Sequence, residues 1–484
     1  MSHSKKWFLA CFAGLSVVIA VDAWAAGWHL ETLDTITGEH PVVVTDTRGN
    51  PHVFYYGTDG LKHMWKDSAD WICETLPYGS STFAATLDSL DRPCIAYVHY
   101  GDFMEMFVSF AYWDGGSWQR EQLIQTATNG SGSISMVLDS NQRPHIAVNM
   151  IHDYGPAHSS ILYYFLRDAS GVWTTEPMDG MISDIRLAVD PNDSPILIYQ
   201  YRTSLMEDYE WRFRRRENDQ WIVEPLIFDG EFVNIGTPFY CREGFLQFIY
   251  TEQFRMTDTG RLMRAIRIGD EWTRECLAET YYIIYLPDAV LDLENMPHSV
   301  FFLRELDPED ISYIKHTYRA GSFWITESID ADPEFIRFPR IATTSGNDLH
   351  VVYVYDDSDH RELRYAYRPP APLYHLVLED DFLTYGDWFF LSRTCEYFGA
   401  EEVILDEYII FDVYGSFWFW PSWTQIPDRV SQDLKPGDFN TETILDFQWP
   451  ANAGSGSGLA FWGGLLNPET MLLLALDRVE FSYE

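Results

Sequence analysis

Seven side chains in this chain have the chemistry of a binding site: Tyr100, His152, Tyr154, Arg202, Arg255, Arg304 and Asp357. They fall in polar stretches between short apolar runs. A guanidinium fork matches carboxylates and paired hydroxyls, an aromatic face stacks on a sugar ring or a cation, and a carboxylate accepts from hydroxyl groups. Such a set suits a polar ligand. Asp357-Ser-Asp359 could add oxygen ligands for calcium, though two acids one residue apart are a weak signal. The sequence contains no G-x-S-x-G, P-loop or HExxH motif. One short loop offers too few donors for a ligand, so groups from several elements must converge.

The elements that would bring them together are repeats. Trp-x-x-Glu occurs seven times, at Trp28/Glu31, Trp71/Glu74, Trp118/Glu121, Trp173/Glu176, Trp221/Glu224, Trp272/Glu275 and Trp324/Glu327. A period of about fifty residues marks an array of small sheets, most often a β-propeller. Each unit reads as four short strands. Between Ile134 and Glu176 these are Ile134–Leu138, a turn at 139–144, His145–Val148, a polar loop, Ile161–Phe165, a turn at 168–171, and the strand holding Trp173. The first turn recurs as Asp, four residues, Pro, at Asp46/Pro51, Asp88/Pro93, Asp139/Pro144, Asp190/Pro195 and Asp292/Pro297. Two units, at 240–245 and 344–349, keep the spacing with other turn residues.

The ends of the array predict its closure. The first Trp-x-x-Glu precedes any complete unit, and the last unit, from about Phe335 to Arg368, has three strands and no such motif. The N-terminal strand should therefore complete the last unit, giving seven blades and hiding two sheet edges. The repeated tryptophan packs one sheet on the next, and its glutamate lies on the other face or at the strand edge. His52, His145, His298 and His350 hold one position in four units. Equivalent positions lie on a ring and not around a point, so they are not read as a metal site.

Lys5-Lys6, an apolar run from Trp7 to Val21 and Ala23-Trp-Ala25 have the form of a secretory signal over residues 1–25. The run is short for a membrane span, and no later segment suits one, so no membrane insertion is expected after cleavage. The formal net charge is −40, which repels nucleic acid and anionic lipid surfaces. Cys73, Cys94, Cys241, Cys276 and Cys395 follow the signal without CxxC spacing, and only Cys241 with Cys276 is considered as a pair.

Residues 26–368 are assigned to the propeller, 369–372 to a Pro-rich linker and 373–484 to a β-sandwich-like domain. In that last domain Trp418, Trp420 and Trp423 could form a sugar-stacking platform or a packing cluster. The chain is thus expected to be all-β throughout.

The turns Asp114-Gly-Gly116-Ser-Trp118 and Asp168-Ala-Ser-Gly171-Val-Trp173 resemble a degenerate Asp-box of bacterial sialidases, and residues 28–368 resemble the sialidase-like and fucose-lectin-like propellers. Asp412-Val-Tyr-Gly415, Phe419-Trp-Pro-Ser-Trp423 and the closing stretch Phe461 to Phe481 resemble a module at the ends of secreted bacterial multidomain proteins, to which no activity is attached. The sialidase likeness would imply three substrate-binding arginines, a Tyr/Glu nucleophile pair and an Asp acid. Arg202, Arg255 and Arg304 are the candidate arginines, and seven blades depart from the six of sialidases. The leading expectation is a secreted or periplasmic, non-catalytic propeller that binds a glycan or an extracellular protein on its loop face, with no cofactor unless calcium. A sialidase-like glycoside hydrolase and a structural envelope or adhesion protein are the alternatives.

Overall fold

The computed structural model describes residues 27–484 apart from 37, 39, 68–69, 78, 102–104, 127–129, 152–159, 179–180, 203–209, 255–256, 258, 306–310, 321–322, 358–359, 400–401, 451–453 and 469–472. The signal-like segment lies outside these residues. Every helix or strand among the described residues is a strand. Val42–Thr45, Pro51–Gly57, Gly60–Asp67 and Asp70–Thr75 form the first of seven consecutive antiparallel sheets. The others span residues 83–126, 130–178, 181–226, 232–280, 283–332 and 335–368. The seventh sheet supplies only three strands of its own, and His29–Thr35 adds the fourth, with His29 opposite Tyr367 and Asp34 opposite Leu363. An all-β array of four-stranded antiparallel sheets is a β-propeller.

Each turn carboxylate serves a purpose that the Asp-x4-Pro spacing anticipates. Asp139 Oδ1 accepts the backbone N–H groups of Asn141 and Arg143 at 2.9 and 2.8 Å. Asp46, Asp88 and Asp190 do the same two and four residues on. In the diverged units Thr344 Oγ1 accepts from Gly346 and Asp348, and Cys241 Sγ accepts from Phe245. A side chain that caps its own turn fixes where the first strand ends and the second begins.

The apolar core is divided among the seams. Leu162 and Tyr164 of the third sheet pack on Leu187, Leu197 and Tyr199 of the fourth. Val352 and Tyr365 of the seventh pack on Val53 and Tyr55 of the first, so the last seam is built like the others. Tyr55, Tyr97, Tyr164, Tyr199, Tyr250 and Tyr353 are all fully buried in these layers. Burying a large side chain stabilises by roughly 1.5–3 kcal/mol, an upper figure because unfolded chains are partly compact.

The Trp-x-x-Glu motif links consecutive sheets head to tail. An odd spacing on a strand sends two side chains to opposite faces. Trp173 packs edge-on against Phe110 of the preceding sheet at 5.5 Å and donates its indole N–H to Glu121 of that sheet at 2.6 Å. Its own Glu176 faces forward and accepts from Trp221 at 2.8 Å. The same bond joins Trp71 to Glu31, Trp324 to Glu275 and, across the closure, Trp28 to Glu327. A cation opposite the tryptophan reaches the same glutamate: Arg167 to Glu121, Arg216 to Glu176, Arg267 to Glu224, Lys66 to Glu31 and Arg368 to Glu327. The second sheet shows why both donors matter. Trp113 stands where the cation should be, Glu74 turns to His63 at 3.1 Å, and the buried Trp118 N–H has no partner among the described residues. The repeat tryptophans are therefore seam residues, half-buried except for Trp28.

Residues 373–484 form two further sheets. Leu373–Leu378, Trp388–Glu396 and Phe439–Gln448 make one, and Val403–Val413, Gly456–Leu466 and Leu473–Tyr483 dominate the other. Phe389 and Leu391 of the first meet Ile409, Phe461 and Phe481 of the second in one core, against which Trp420 and Trp423 pack. Tyr318 of the sixth propeller sheet buries itself against Tyr408, Ile410 and Trp462, joining the two parts. All five described cysteines are free, so the considered Cys241–Cys276 pair does not form.

The seam bond predicts non-additive energetics. Trp173→Phe keeps the ring and removes the N–H, and Glu121→Gln removes the charge. Each should lower stability by about 1–2 kcal/mol, since charge-assisted bonds are worth about 1.5–3 kcal/mol and this one is partly exposed. The double variant should lose less than the sum, by about 1 kcal/mol in urea unfolding. Strict additivity would show that the bond contributes nothing.

Candidate functional site

The loop-face candidates occupy matching places on different sheets. Tyr100, Arg202 and Arg304 each end an eight-residue second strand, at Pro93–Tyr100, Pro195–Arg202 and Pro297–Arg304. Asp356 ends the corresponding strand of the seventh sheet, and Asp357 follows it. They are spread round the array in the second, fourth, sixth and seventh sheets. His152, Tyr154 and Arg255 lie outside the described residues, as does Asp359 of the Asp-x-Asp pair. Asp357 itself is engaged by His360 Nδ1 at 2.9 Å, and the other nitrogen of that ring meets Glu362 at 3.2 Å.

Two of the seven candidates share one corner. The Arg304 guanidinium lies 4.0 Å over the ring of Phe335, the first residue of the next sheet. Phe335 is 40% exposed and pairs in register with Asp356, the neighbour of Asp357. Asp356 in turn accepts from Arg337 and, at 2.9 Å, from Arg361. Cation, aromatic face and carboxylate thus meet where the sixth and seventh sheets reach the loop face.

A second polar group lies deeper, along the innermost strands. The fourth residue before each first turn is Val42, Ala84, Ser135, Arg186, Thr237, Asp288 and Arg340 in successive sheets. Arg186 bonds Asp184 and donates from Nε to the Ile235 carbonyl of the fifth sheet at 3.0 Å. Asp288 accepts the Thr237 hydroxyl at 2.9 Å and the Ile341 N–H at 3.2 Å, tying the fifth, sixth and seventh sheets together. Two positions earlier the backbone is left-handed at Asp184, Leu286 and Phe338, with φ of 40, 53 and 58°. The strand register slips at the same places. Bulges of this kind re-aim side chains and concentrate at functional sites, where strain is retained. His40, also left-handed, packs on Phe338 at 4.3 Å. Burial and the charges of Arg340, Arg186 and Arg337 hold His40 neutral, with its pKa lowered to about 3.

Each axial arginine comes with an acid. Arg186 has Asp184, Arg337 has Asp356, and Asp288 offsets Arg340. An arginine so matched braces the ring more readily than it traps a substrate carboxylate. Sequence reading passed over this group because it looked for loops. Its signal was present as the fourth residue before every turn.

The four equivalent histidines form polar spines. His145 Nδ1 lies 2.6 Å from the Tyr164 hydroxyl and Nε2 lies 3.3 Å from Asp139. In the first sheet the chain runs Asp46, His52, His63, Glu74, and in the sixth Asp292, His298, His316, Glu327. They face four different turns, and no group of three or more metal-ligating side chains occurs among the described residues.

No family model matches the chain, and no curated protein does. Among solved structures it is similar to AofleA from Arthrobotrys oligospora, at 10% identity over 64% of this chain and 94% of that one, with a TM-score of 0.42. An oligogalacturonate lyase in complex with manganese gives 12% identity, coverage of 71% and 97%, and a TM-score of 0.43. The SapL1 lectin in complex with alpha methyl fucoside gives 12%, 60% and 96%, and 0.39. Likeness this distant carries no function across.

The buried imidazoles predict an acid-sensitive ring. Burial, with nearby cations or a second imidazole, lowers His52, His316 and His350 to about 4 and His40 to about 3, against an ordinary 6.5. Between pH 6.5 and 4 the unfolded chain binds protons that the folded chain refuses. Their stabilising effect is complete above pH 6.5 and lost as pH falls toward 4. Glu327, pushed up by burial but held at about 2 by Arg368, His316 and Trp28, extends the loss below pH 4.5. Calorimetry should show a thermal midpoint that falls steadily from pH 7 to 4. A flat profile over that interval would show these imidazoles to be solvated.

Proposed function

We propose that this protein is a secreted, non-catalytic, seven-bladed β-propeller that binds a glycan or an extracellular protein on its loop face and carries a β-sandwich-like domain at residues 373–484. The blade count is supported by the pairing of His29–Thr35 with Arg361–Arg368 and by the apolar seam between the seventh and first sheets. The sandwich is supported by the shared core of the two last sheets. Secretion rests on the charged start, the apolar run and the Ala-x-Ala site of residues 1–25.

The observation that carries binding is the corner where Arg304 covers Phe335 beside Asp356 and Asp357. A partly exposed ring held under a guanidinium offers a sugar both a stacking face and a fork of donors, with carboxylates alongside to accept from its hydroxyls. The sialidase-type alternative has less support, because the axial arginines are matched by their own acids.

A glycan array probed with the mature protein, with released sugar measured in parallel, tests this reading. Binding without sugar release is expected. Arg304→Ala should weaken the strongest hit by at least about tenfold and shift the thermal midpoint little, since Arg304 is only half-buried and substitutions outside buried networks usually change stability by under about 0.5 kcal/mol. Sugar release would overturn the non-catalytic assignment. Unchanged binding by the variant would move the site elsewhere.

A further inference from the structure

The face opposite the loops, where the first turns lie, has its own repeated seam contact. The second residue of a turn donates its backbone N–H to the fourth residue of the next sheet's turn. Thr47 donates to Asp91 at 2.8 Å, Ser89 to Gln142 at 2.7 Å and Ser140 to Asp193 at 2.8 Å. Arg242 donates to Asn295 at 3.1 Å and Leu293 to Asn347 at 2.8 Å. Where the acceptor is a carboxylate, the hydroxyl of Thr47 or Ser140 joins the bond at 2.6 or 2.8 Å. Every acceptor sits in left-handed backbone, with φ between 59 and 67°.

Two seams lack the contact, in different ways. Between the fourth and fifth sheets both halves are missing: Pro191 has no N–H, and Gly244 has no side chain. Between the seventh and first only the acceptor is missing. Ser345 keeps its N–H and hydroxyl, and Gly49 stands where the other seams have an Asp, Asn or Gln side chain as acceptor. A cleft of about 480 Å³ opens there, lined by Arg48, Gly49, Lys66, Ser345, Asp348 and His350 among others.

His350 shows a second vacancy in the same cleft. It is 97% buried, and its Nδ1 lies 2.7 Å from the Tyr365 hydroxyl. In the third sheet the equivalent His145 makes the same tyrosine contact and points Nε2 at the turn carboxylate Asp139. The seventh turn begins with Thr344 instead of Asp, so Nε2 of His350 is buried with no partner among the described residues. With a carboxylate at Nε2, as His145 has in Asp139, the ring would carry its proton on Nε2 and accept the tyrosine hydroxyl at Nδ1. A buried ring nitrogen without a partner is destabilising.

Ser345, exposed at its turn, lacks the acceptor that other seams supply, and the buried His350 lacks the carboxylate that Asp46, Asp139 and Asp292 supply to its counterparts. Arg48 and Lys66 place two cations at the same opening, each held on one side by an acid, Asp46 and Glu31. We propose that the seam between the seventh and first sheets is a second binding site, on the turn face, for a ligand carboxylate flanked by hydroxyls, as on a uronic acid. The ligand carboxylate takes the place of the missing aspartate and accepts from Ser345 and His350, with the cations compensating its charge. Asp348, whose carboxylate edges the cleft and accepts from Tyr367 at 2.7 Å and from Thr344 at 2.9 Å, disfavours a second anionic group. This site is distinct from the loop-face corner.

Calorimetric titration of the mature protein with galacturonate, glucuronate, glucose and a Gly-Asp-Gly peptide tests it. At least one uronate should bind at least about tenfold more tightly than glucose and than the peptide. Ser345→Pro copies the natural Pro191 seam and should abolish uronate binding. Gly49→Asp restores the internal carboxylate. It should abolish binding as well and, if the left-handed backbone accepts it as it accepts Asp91, raise the thermal midpoint. Arg304→Ala should leave uronate binding intact, which separates this site from the loop-face reading. Absence of uronate binding, or binding unaffected by Ser345→Pro, would overturn the proposal. Tighter binding of the peptide would overturn the sugar-acid assignment.

Discussion

The bond from a repeat tryptophan to the glutamate of the preceding sheet, made by five of the seven tryptophans, is the constraint on which the rest of this molecule depends. A four-stranded sheet cannot bury both faces by itself, and it exposes edges at either side. Apolar packing between twisted sheets tolerates sliding, because it has no direction. An indole N–H and a cation converging on one carboxylate have direction, and they constrain the angle between one sheet and the next. Because Trp and Glu are three residues apart on one strand, the same short motif grips the sheet behind and the sheet ahead. At Trp28, Glu327 and Arg368 the chain of grips passes from the first residues of the array to its last, deep in the protein. There the ring closes with side chains separated by some three hundred positions.

Repeats of this kind make exceptions informative. Where Trp113 replaces the cation, Glu74 is captured by the His52–His63 spine and Trp118 loses its partner. Where Gly49 stands in place of an Asp, Asn or Gln, a cleft opens, and where Thr344 replaces an aspartate, Nε2 of His350 has no partner among the described residues. A scaffold with seven near-copies of one unit has no need to vary a seam unless something else occupies it or nothing does. The seam with Pro191 and Gly244 has lost both halves of its contact together. The seam with Ser345 and Gly49 has lost one half, and an orphan remains.

Much of the fold was legible because its cause is local. The Asp-x4-Pro spacing is a carboxylate reaching its own turn, and the structure has that bond at Asp46, Asp88, Asp139 and Asp190. The misplaced first Trp-x-x-Glu has to pair with something, and the three-stranded last unit is where it goes. The site was less legible because its causes are not local. Arg186, Asp288 and Arg340 matter through sheets fifty residues apart, and a window along the chain shows each only as a charge inside a strand. Arg304 was read as a loop residue among others. Its position over Phe335 depends on how two sheets meet, which no spacing encodes. The cations opposite the tryptophans were also missed, although Lys66, Arg216, Arg267 and Arg319 stand five residues before their tryptophans.

The strong negative charge of the chain follows from the same architecture. Only 33 lysines and arginines face 73 acids, and the ring sequesters many of the cations. Arg167, Arg216, Arg267 and Arg368 are held at seams, Arg186 on an innermost strand and Arg337 at the loop-face corner, each bound to a carboxylate. What remains outside is largely acid, which keeps such a protein soluble and turns anionic surfaces away. A general attraction therefore cannot bring an anion to this molecule. Recognition of one has to rest on short-range donors fixed by the fold, in a cleft where the protein's own pattern already specifies a carboxylate and has left it out. The overall field then acts as a filter: it disfavours polyanions, which feel the whole surface, more than a single carboxylate seated between Arg48, Lys66, Ser345 and His350.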